Sequence, residues 1–442
     1  MITPRIVTTN TIVTAAPQPS TLQQSAAIIS LGGTTLATGS YQYLSVPGQL
    51  TPILGAGGNH LEVSNAVQSF FAQGNAIGCY VLELGTEGTP GANIPALLSF
   101  INAQMAQPFY LYITPTEWDG LAGGVTAFAI TNPGSGYPGP TANVTFSPPG
   151  TGVTATGYAV IANGQVVNII ITNPGSGYST APSVTIAAPP APGITATATA
   201  SIGSPLKGMA SAFASPNGKT YFLVQTTSAN LASYAGTKSI LAVVPAPTAL
   251  ATEYPAAAIA YDIVVQNPSA ATMAQPLGYQ YVYGITPWQI TATNMTTITN
   301  VMTAYGNVIL TGAEGGISNA CIRNGTTMDG QQFMWWYAVD WFQIQADRLL
   351  SAAIINGSNS QPPLIYNQAG VNTLLAVAQN AANASVAFGL NLSATVTATP
   401  FSTYILQNPG DHNAGIYRGF QATVLPNTGF LAITFNINAV QF

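Results

Sequence analysis

The sequence predicts an α+β multidomain protein. It has an α/β layered domain, an all-β two-repeat module inserted into it, and a C-terminal mixed α/β assembly domain with extended terminal strand arms. Three observations predict this. Strand-like apolar runs alternate with amphipathic helical runs across residues 51–113, the pattern of a parallel sheet covered by helices. A heptapeptide then recurs within a stretch that lacks helical periodicity. Finally, β-prone segments stand alone at both ends of the chain.

Residues 1–20 read as an arm. Arg5 to Thr14 (RIVTTNTIVT) is β-prone, with Ile6, Val7, Ile12 and Val13 as its apolar residues, and Pro17 and Pro19 then impose a stiff break. The α/β domain is assigned to 21–119 and 206–320. Asn59 and Glu62 form a capping-box-like pair at a helix start, Val63, Ala66, Val67, Phe70 and Phe71 repeat at helical spacing, and Gly74 stands where a C′ glycine belongs. A buried strand over 76–84, a helix carrying Leu97, Leu98, Phe100, Ile101 and Met105, and a strand over 109–114 follow.

Residues 120–205 contain no charged residue. TNPGSGY at 131–137 recurs at 172–178, and at the same offset Gly152–Thr156 matches Gly193–Thr197. Two repeats, about 128–168 and 169–205, are expected, each with short strands around an Asn-Pro-Gly turn; Asn163-Gly164 marks another turn. The α/β pattern resumes with a helix at 209–213 and strands at 221–225 and 240–244, so the module sits in a surface loop, where insertions are tolerated. The final domain, 321–442, contains a long helix over 331–355 that is apolar nearly all round and therefore expected to be buried on several sides. A helix over 368–382 and a strand over 430–442 follow. In that strand Leu431, Ile433, Phe435 and Ile437 alternate with smaller or polar residues.

Charge is scarce: 7 Lys and Arg and 12 Asp and Glu in 442 residues, or 4%, against about 25% in ordinary soluble proteins. Little charge means little repulsion between copies, and near-neutral surfaces favour association. No basic patch points to nucleic acid, and no uninterrupted apolar run points to a membrane span or a signal peptide. Cys79 and Cys321 are too few for a disulfide framework and read as small buried hydrophobes.

Few groups could carry chemistry. Gly55 to His60 (GAGGNH) mimics a dinucleotide fingerprint with Glu83 downstream, but His60 replaces the third glycine, so a turn before a capped helix is the better reading. Asp411-His412 lies in a polar turn, Glu83 and Glu87 read as a solvated strand end, and the Gly-Ser-Gly of the repeat reads as a turn. No cofactor, metal site or enzymatic activity is expected. Arg323, Asp340, Asp347 and Arg348 have two readings: an intramolecular ion pair that fixes packing, or contact with another protein. Tyr137 and Tyr178 are candidate glycan contacts against packing residues of their loops.

Ser64 to Gly74 (SNAVQSFFAQG) followed by Cys79 to Glu83 resembles the helix–strand step of contractile, myovirus-type bacteriophage tail sheath proteins. Met328–Gly330, Trp336–Trp341, Pro362–Asn367 and Gly429–Phe435 resemble their C-terminal domain, in the same order. The resemblance implies a subunit stacked in rings, six to a ring, around a tail tube. Its partners would be itself, the tube protein, the baseplate and the tail terminator, and it would sit in the virion tail after assembly in the host cytoplasm. Contraction would drive the tube through the host envelope for genome ejection. It also implies strand exchange between subunits by Ile6, Val7, Ile12, Val13, Leu431, Ile433, Phe435 and Ile437, and tube or subunit contact by Arg323, Asp340, Asp347 and Arg348. The near absence of charge departs from many sheath proteins, so electrostatic docking on the tube is not carried over. The alternative is another phage structural or adhesive surface component, such as a baseplate, fibre or lattice protein.

Overall fold

A computed structural model describes residues 21–103, 109–313 and 317–431. Met105, the arm residues Ile6, Val7, Ile12 and Val13, and Ile433, Phe435 and Ile437 lie outside the described residues. The first elements are β1 (Ala26–Ser30), β2 (Tyr41–Leu44), α1 (His60–Phe71), β3 (Cys79–Glu83), α2 (Ile94–Ala103) and β4 (Leu111–Ile113). The inserted module contributes β5 (Gly124–Asn132), β6 (Thr141–Phe146), β7 (Thr156–Ala162), β8 (Gln165–Asn173), β9 (Val184–Ile186) and β10 (Thr197–Gly203). Then come α3 (Pro205–Ser211), β11 (Tyr221–Gln225), β12 (Ile240–Val243), α4 (Pro255–Val264), α5 (Ala292–Thr303), β13 (Val308–Ala313) and β14 (Ile317–Arg323). The chain continues through α6 (Phe333–Ser358), α7 (Gln368–Ala387), β15 (Asn391–Ala398), α8 (Phe401–Gln407), α9 (Pro409–Asn413) and β16 (Phe420–Pro426).

The expected α/β layer is a six-stranded sheet in the order β12-β11-β4-β1-β3-β2. All neighbours are parallel except the edge strand β2. Parallel strands need both faces covered, and both are. On one face α1, α4 and the start of α6 contribute Val63, Phe70, Ile259, Phe333 and Tyr337 to one core. On the other, α2, α3 and α5 contribute Leu97, Ile101, Leu206, Met209 and Ile298 to a second. The division expected after residue 320 falls inside β14, which pairs with β13 through Cys321 and Leu310. Cys79 and Cys321 are both free and buried, and burial raises both thiols, so neither is poised as a nucleophile.

The start of α1 differs from expectation. Asn59 occupies the cap position but makes no side-chain cap bond. Its Oδ1 accepts from Leu31 N–H at 2.8 Å, and its amide donates to Ile29 O and to Glu62 Oε2, so it ties the helix to the end of β1 instead. Gly74 has a packing reason: a Cβ there would stand 2.4 Å from the Tyr261 hydroxyl.

The module keeps the two repeats but pairs them across each other. β7 of the first repeat lies against β8 of the second, Thr156 opposite Asn173, while β10 of the second lies against β5 of the first, Thr197 opposite Asn132. The side chains follow the same pseudo-symmetry. Thr131 meets Thr197 and Thr156 meets Thr172, each at 2.7 Å. Tyr137 Oη accepts from Ala196 N–H, and Tyr178 Oη accepts from Ala155 N–H, each at 2.9 Å. Both tyrosines are therefore buried braces between repeats, which overturns their reading as glycan contacts. The Gly-Ser-Gly turns are closed by Asn132 and Asn173, whose Oδ1 atoms accept from Gly134 and Gly175 N–H. The module has its own core, including Val144, Ile169 and Ile186.

Candidate assembly surface

The C-terminal region exposes several large apolar side chains. α6 is buried only over its first part, at Phe333, Met334, Tyr337, Ala338, Asp340, Trp341 and Phe342. Beyond Phe342 it emerges, and Ile355 is 63% exposed, so burial on several sides holds for half the helix. α7 packs against α6 and β15, with Ala381 and Ala382 meeting Phe342 and Ala394. β15 and β16 pair antiparallel, and among the described residues neither has another strand partner. Leu392, Leu406 and Leu425 project into solvent, Leu406 with 83% exposure. At the outer edge of β15, the Gln379 side chain takes the place of a peptide group: its Oε1 accepts from Val396 N–H at 2.9 Å and its amide donates to Ala394 O.

Leu431 is the one terminal-strand candidate within the described residues. Its carbonyl accepts from Tyr279 Oη at 2.5 Å. Tyr279, Tyr281 and Tyr283 are all exposed along a segment that pairs with β14.

The four charged candidates separate. Asp340 is fully buried, so it contacts no partner of the folded subunit. Its Oδ2 accepts from Tyr110 Oη at 2.9 Å and Tyr221 Oη at 2.8 Å. Its Oδ1 has no hydrogen-bond partner among the described residues. Burial pushes the Asp340 carboxyl up to about 6, against the pull of Lys238 and the two hydroxyls. Lys238 is itself buried: its Nζ donates to Ser215 O and Gly218 O and lies 4.2 Å from the centre of the Trp336 ring. The ion pair expected around α6 is therefore replaced by tyrosine hydroxyls and a cation–π contact. The one ion pair within reach among the described residues joins Arg418 to Asp411. Asp347 and Arg348 are exposed, and Arg348 donates to Gln345 Oε1 at 2.7 Å. Arg323 is half-buried, with its guanidinium 5.0 Å from the centre of the Tyr279 ring.

The enzyme-like features resolve into packing. Glu83 is not solvated: it is buried, and its carboxylate accepts from Ser30 Oγ, Thr34 Oγ1 and the N–H groups of Gly32, Thr34 and Gly85. At the mouth above the sheet, where a phosphate would sit, Glu62, Glu87 and Glu117 line a 350 Å³ hollow. Burial, and then Glu87 and Glu62, raise the Glu117 carboxyl. That charge repels a phosphate, whatever the helix N-terminus offers. His412 packs against Tyr366 and Phe401. Among the described residues, no three His, Cys, Asp or Glu are grouped to hold a metal ion, and no helix is long and apolar enough to cross a membrane.

No family model and no curated protein matches the chain. Solved structures do. A chain of the anti-feeding prophage (AFP) baseplate, 6-fold symmetrised, superposes with a TM-score of 0.57 at 10% identity, covering 100% of both chains. A chain of the AFP helical sheath in its contracted state superposes with a TM-score of 0.51 at 10% identity, covering 99% of both. A sheath tail protein from Listeria innocua aligns over 92% of this chain and 96% of its own, with a TM-score of 0.39 at 9% identity. From end to end, this chain shares its fold with chains of the AFP baseplate and of the contracted AFP sheath.

Proposed function

We propose that the chain is a structural, non-enzymatic subunit of a contractile tail sheath. It polymerises as six-membered rings stacked around a tail tube and contracts to drive the tube through a host envelope. The observation that carries this reading is the superposition on a contracted-sheath chain over 99% of both lengths. The two-stranded ribbon β15–β16 supports it, because such a ribbon gains most from added strands. Ile6, Val7, Ile12 and Val13 from one arm, and Leu431, Ile433, Phe435 and Ile437 from the other, are the proposed exchanged strands. Arg323, Asp347 and Arg348 are the proposed charged contacts with the tube or neighbouring subunits. Baseplate and tail terminator would cap the cylinder, the particle would assemble in the host cytoplasm, and the charge-free module over 120–205 would face outward.

The higher TM-score to the baseplate chain favours a second reading, a baseplate component of the same fold. Negative-stain microscopy of the purified protein separates the two: long hollow cylinders are expected of a sheath, discrete rings of a baseplate component. Deleting residues 1–14 should leave a folded, soluble protein that forms no cylinders, whereas replacing 120–205 by a Gly-Ser linker should leave cylinders intact. Normal cylinders from the deletion would remove the arms from the assembly reading.

A further inference from the structure

After β16 the chain crosses from the ribbon to the α/β body through residues 427–431, and both ends of this crossing are held. On the ribbon side, Asn427 N–H donates to Leu390 O at 2.9 Å and its side-chain amide donates to Gly389 O at 2.8 Å. On the body side, Tyr279 Oη donates to Leu431 O. Between them stands Gln332. Its Nε2 donates to Gly429 O at 2.9 Å and its Oε1 accepts from Gly429 N–H at 2.7 Å. One side chain thus satisfies both backbone groups of one residue, as a residue of a neighbouring antiparallel strand would. Gln73 does the same for Tyr283, at 2.7 and 2.8 Å, so the chain makes this strand-like joint twice without using charge.

Gln332 stands at the N-cap position of α6 with an extended backbone, yet its side chain makes no cap bond and is spent on Gly429 instead. Its backbone is fixed by a bridge to Thr326, and the next residue, Phe333, is packed in the core against Tyr221. Gly429 in turn has a packing reason: a Cβ there would stand 2.6 Å from Pro276 Cβ. We propose that residues 427–431 form a strap moored at the root of α6, with Gln332 as its positioning residue, and that this mooring fixes where the C-terminal arm leaves the subunit. The arm is then rooted on the half of α6 that belongs to the core, not on the end of the ribbon at Pro426. A pull on the arm therefore loads the first turn of α6 before it reaches β16. The part played in assembly rests on the sheath reading; the mooring itself does not.

The test uses the full-length chain and two variants that break the clamp from opposite sides, Gln332→Ala and Gly429→Ala. In the monomer, hydrogen exchange of the peptide covering 427–431 should quicken at least about tenfold in both. The thermal midpoint should stay within error, because Gln332 and Gly429 lie outside both cores of the α/β domain. Gln332→Glu keeps the acceptor for Gly429 N–H and loses the donor to Gly429 O, so its exchange should fall between wild type and Gln332→Ala. Unchanged exchange in either alanine variant would overturn the mooring. At matched concentration, the sedimenting fraction of assembled particles should drop at least about threefold in both alanine variants and partly recover in Gln332→Glu. Faster exchange with undiminished assembly would overturn the positioning role. So would a lowered thermal midpoint in Gln332→Ala, because Gln332 would then serve stability alone. A wild-type chain that forms no particles would sink the sheath reading, and the exchange comparison would still decide the mooring.

Discussion

The two halves of α6 belong to one helix and to different kinds of surface. From Phe333 to Phe342 it lies under the sheet, where Phe333 meets Tyr221 and Tyr337 meets Tyr110 edge to face. From Gln343 to Ser358 it carries exposed isoleucines beside a two-stranded ribbon. The first half is completed by the fold of a single chain. The second half displays apolar side chains that the single chain leaves in water. If the proposed function holds, the stability of the chain and its assembly reside in different stretches of the molecule and can be perturbed separately.

The largest expected effect breaks the first half of that comparison. Phe70 is fully buried between α1 and α4 and meets Tyr261 edge to face at 5.2 Å. Phe70→Ala should cost about 3–5 kcal/mol of unfolding free energy, read by urea denaturation. Ile355→Asp, on the exposed half of α6, should change the same measurement by less than about 0.5 kcal/mol. It should nevertheless reduce assembly in a sedimentation assay, because it places a charge on an apolar surface. If Ile355→Asp unfolds the monomer, or Phe70→Ala is tolerated, the division between a stability half and an assembly half fails.

How much of this was legible in the sequence follows from the same division. α1 could be read because only one of its faces is apolar, giving Val63, Ala66, Val67 and Phe70 their spacing. β1 and α4 could not, because they are buried on every side: all five residues of β1 are buried, and Pro255 to Tyr261 is an unbroken buried run without a period. The 41-residue offset revealed the module's repeats but not that β7 pairs with β8 and β10 with β5, because a strand carries no mark of which copy it will join. Asp340 read as half of an intramolecular ion pair or as a contact with another protein. Its two tyrosine donors come from positions 230 and 119 residues away, which local spacing does not reach. Glu83 was misread for the same reason: its donors Ser30 and Thr34 belong to β1 and the loop after it, a strand that periodicity did not reveal.

A smaller effect tests the joint between α6 and the sheet. Burial lifts the Asp340 carboxyl to about 6 and the Asp262 carboxyl to about 8, from ordinary values near 3.8. The folded chain thus holds these protons more tightly than the unfolded chain. Their contribution to stability is fully present below about 3.8 and is lost as pH rises through 6 for Asp340 and through 8 for Asp262. Acidifying from pH 6 to 5 should therefore raise the unfolding free energy, by at most about 1.4 kcal/mol for each group. The groups facing Asp340 are Tyr110, Tyr221, Lys238 and, at longer range, Lys219. Asp340→Asn keeps a carbonyl acceptor for the tyrosines and should flatten the profile around pH 6. A wild-type profile that falls on acidification across this window would mean that Lys238, not burial, sets the charge of Asp340.

The smallest expected effect is that of salt on assembly, and its smallness is what tests the exposed half. Ion pairs are screened by salt, whereas apolar and backbone contacts are not. The exposed half of α6 offers Asp347 and Arg348, and the nearby ion pair of Arg418 with Asp411 closes within one chain. Beside them the surface exposes Ile354, Ile355, Leu392 and Leu425 and the two-stranded ribbon of β15 and β16. An assembly built from these should persist when NaCl is raised from about 0.15 M to about 1 M, where the Debye length falls from about 8 Å to about 3 Å. Sedimentation of preformed particles should change by only a few per cent over that range. Rapid dissociation would show that the few charges hold the lattice, and would point to Asp347, Arg348 and Arg323 as the residues to substitute next.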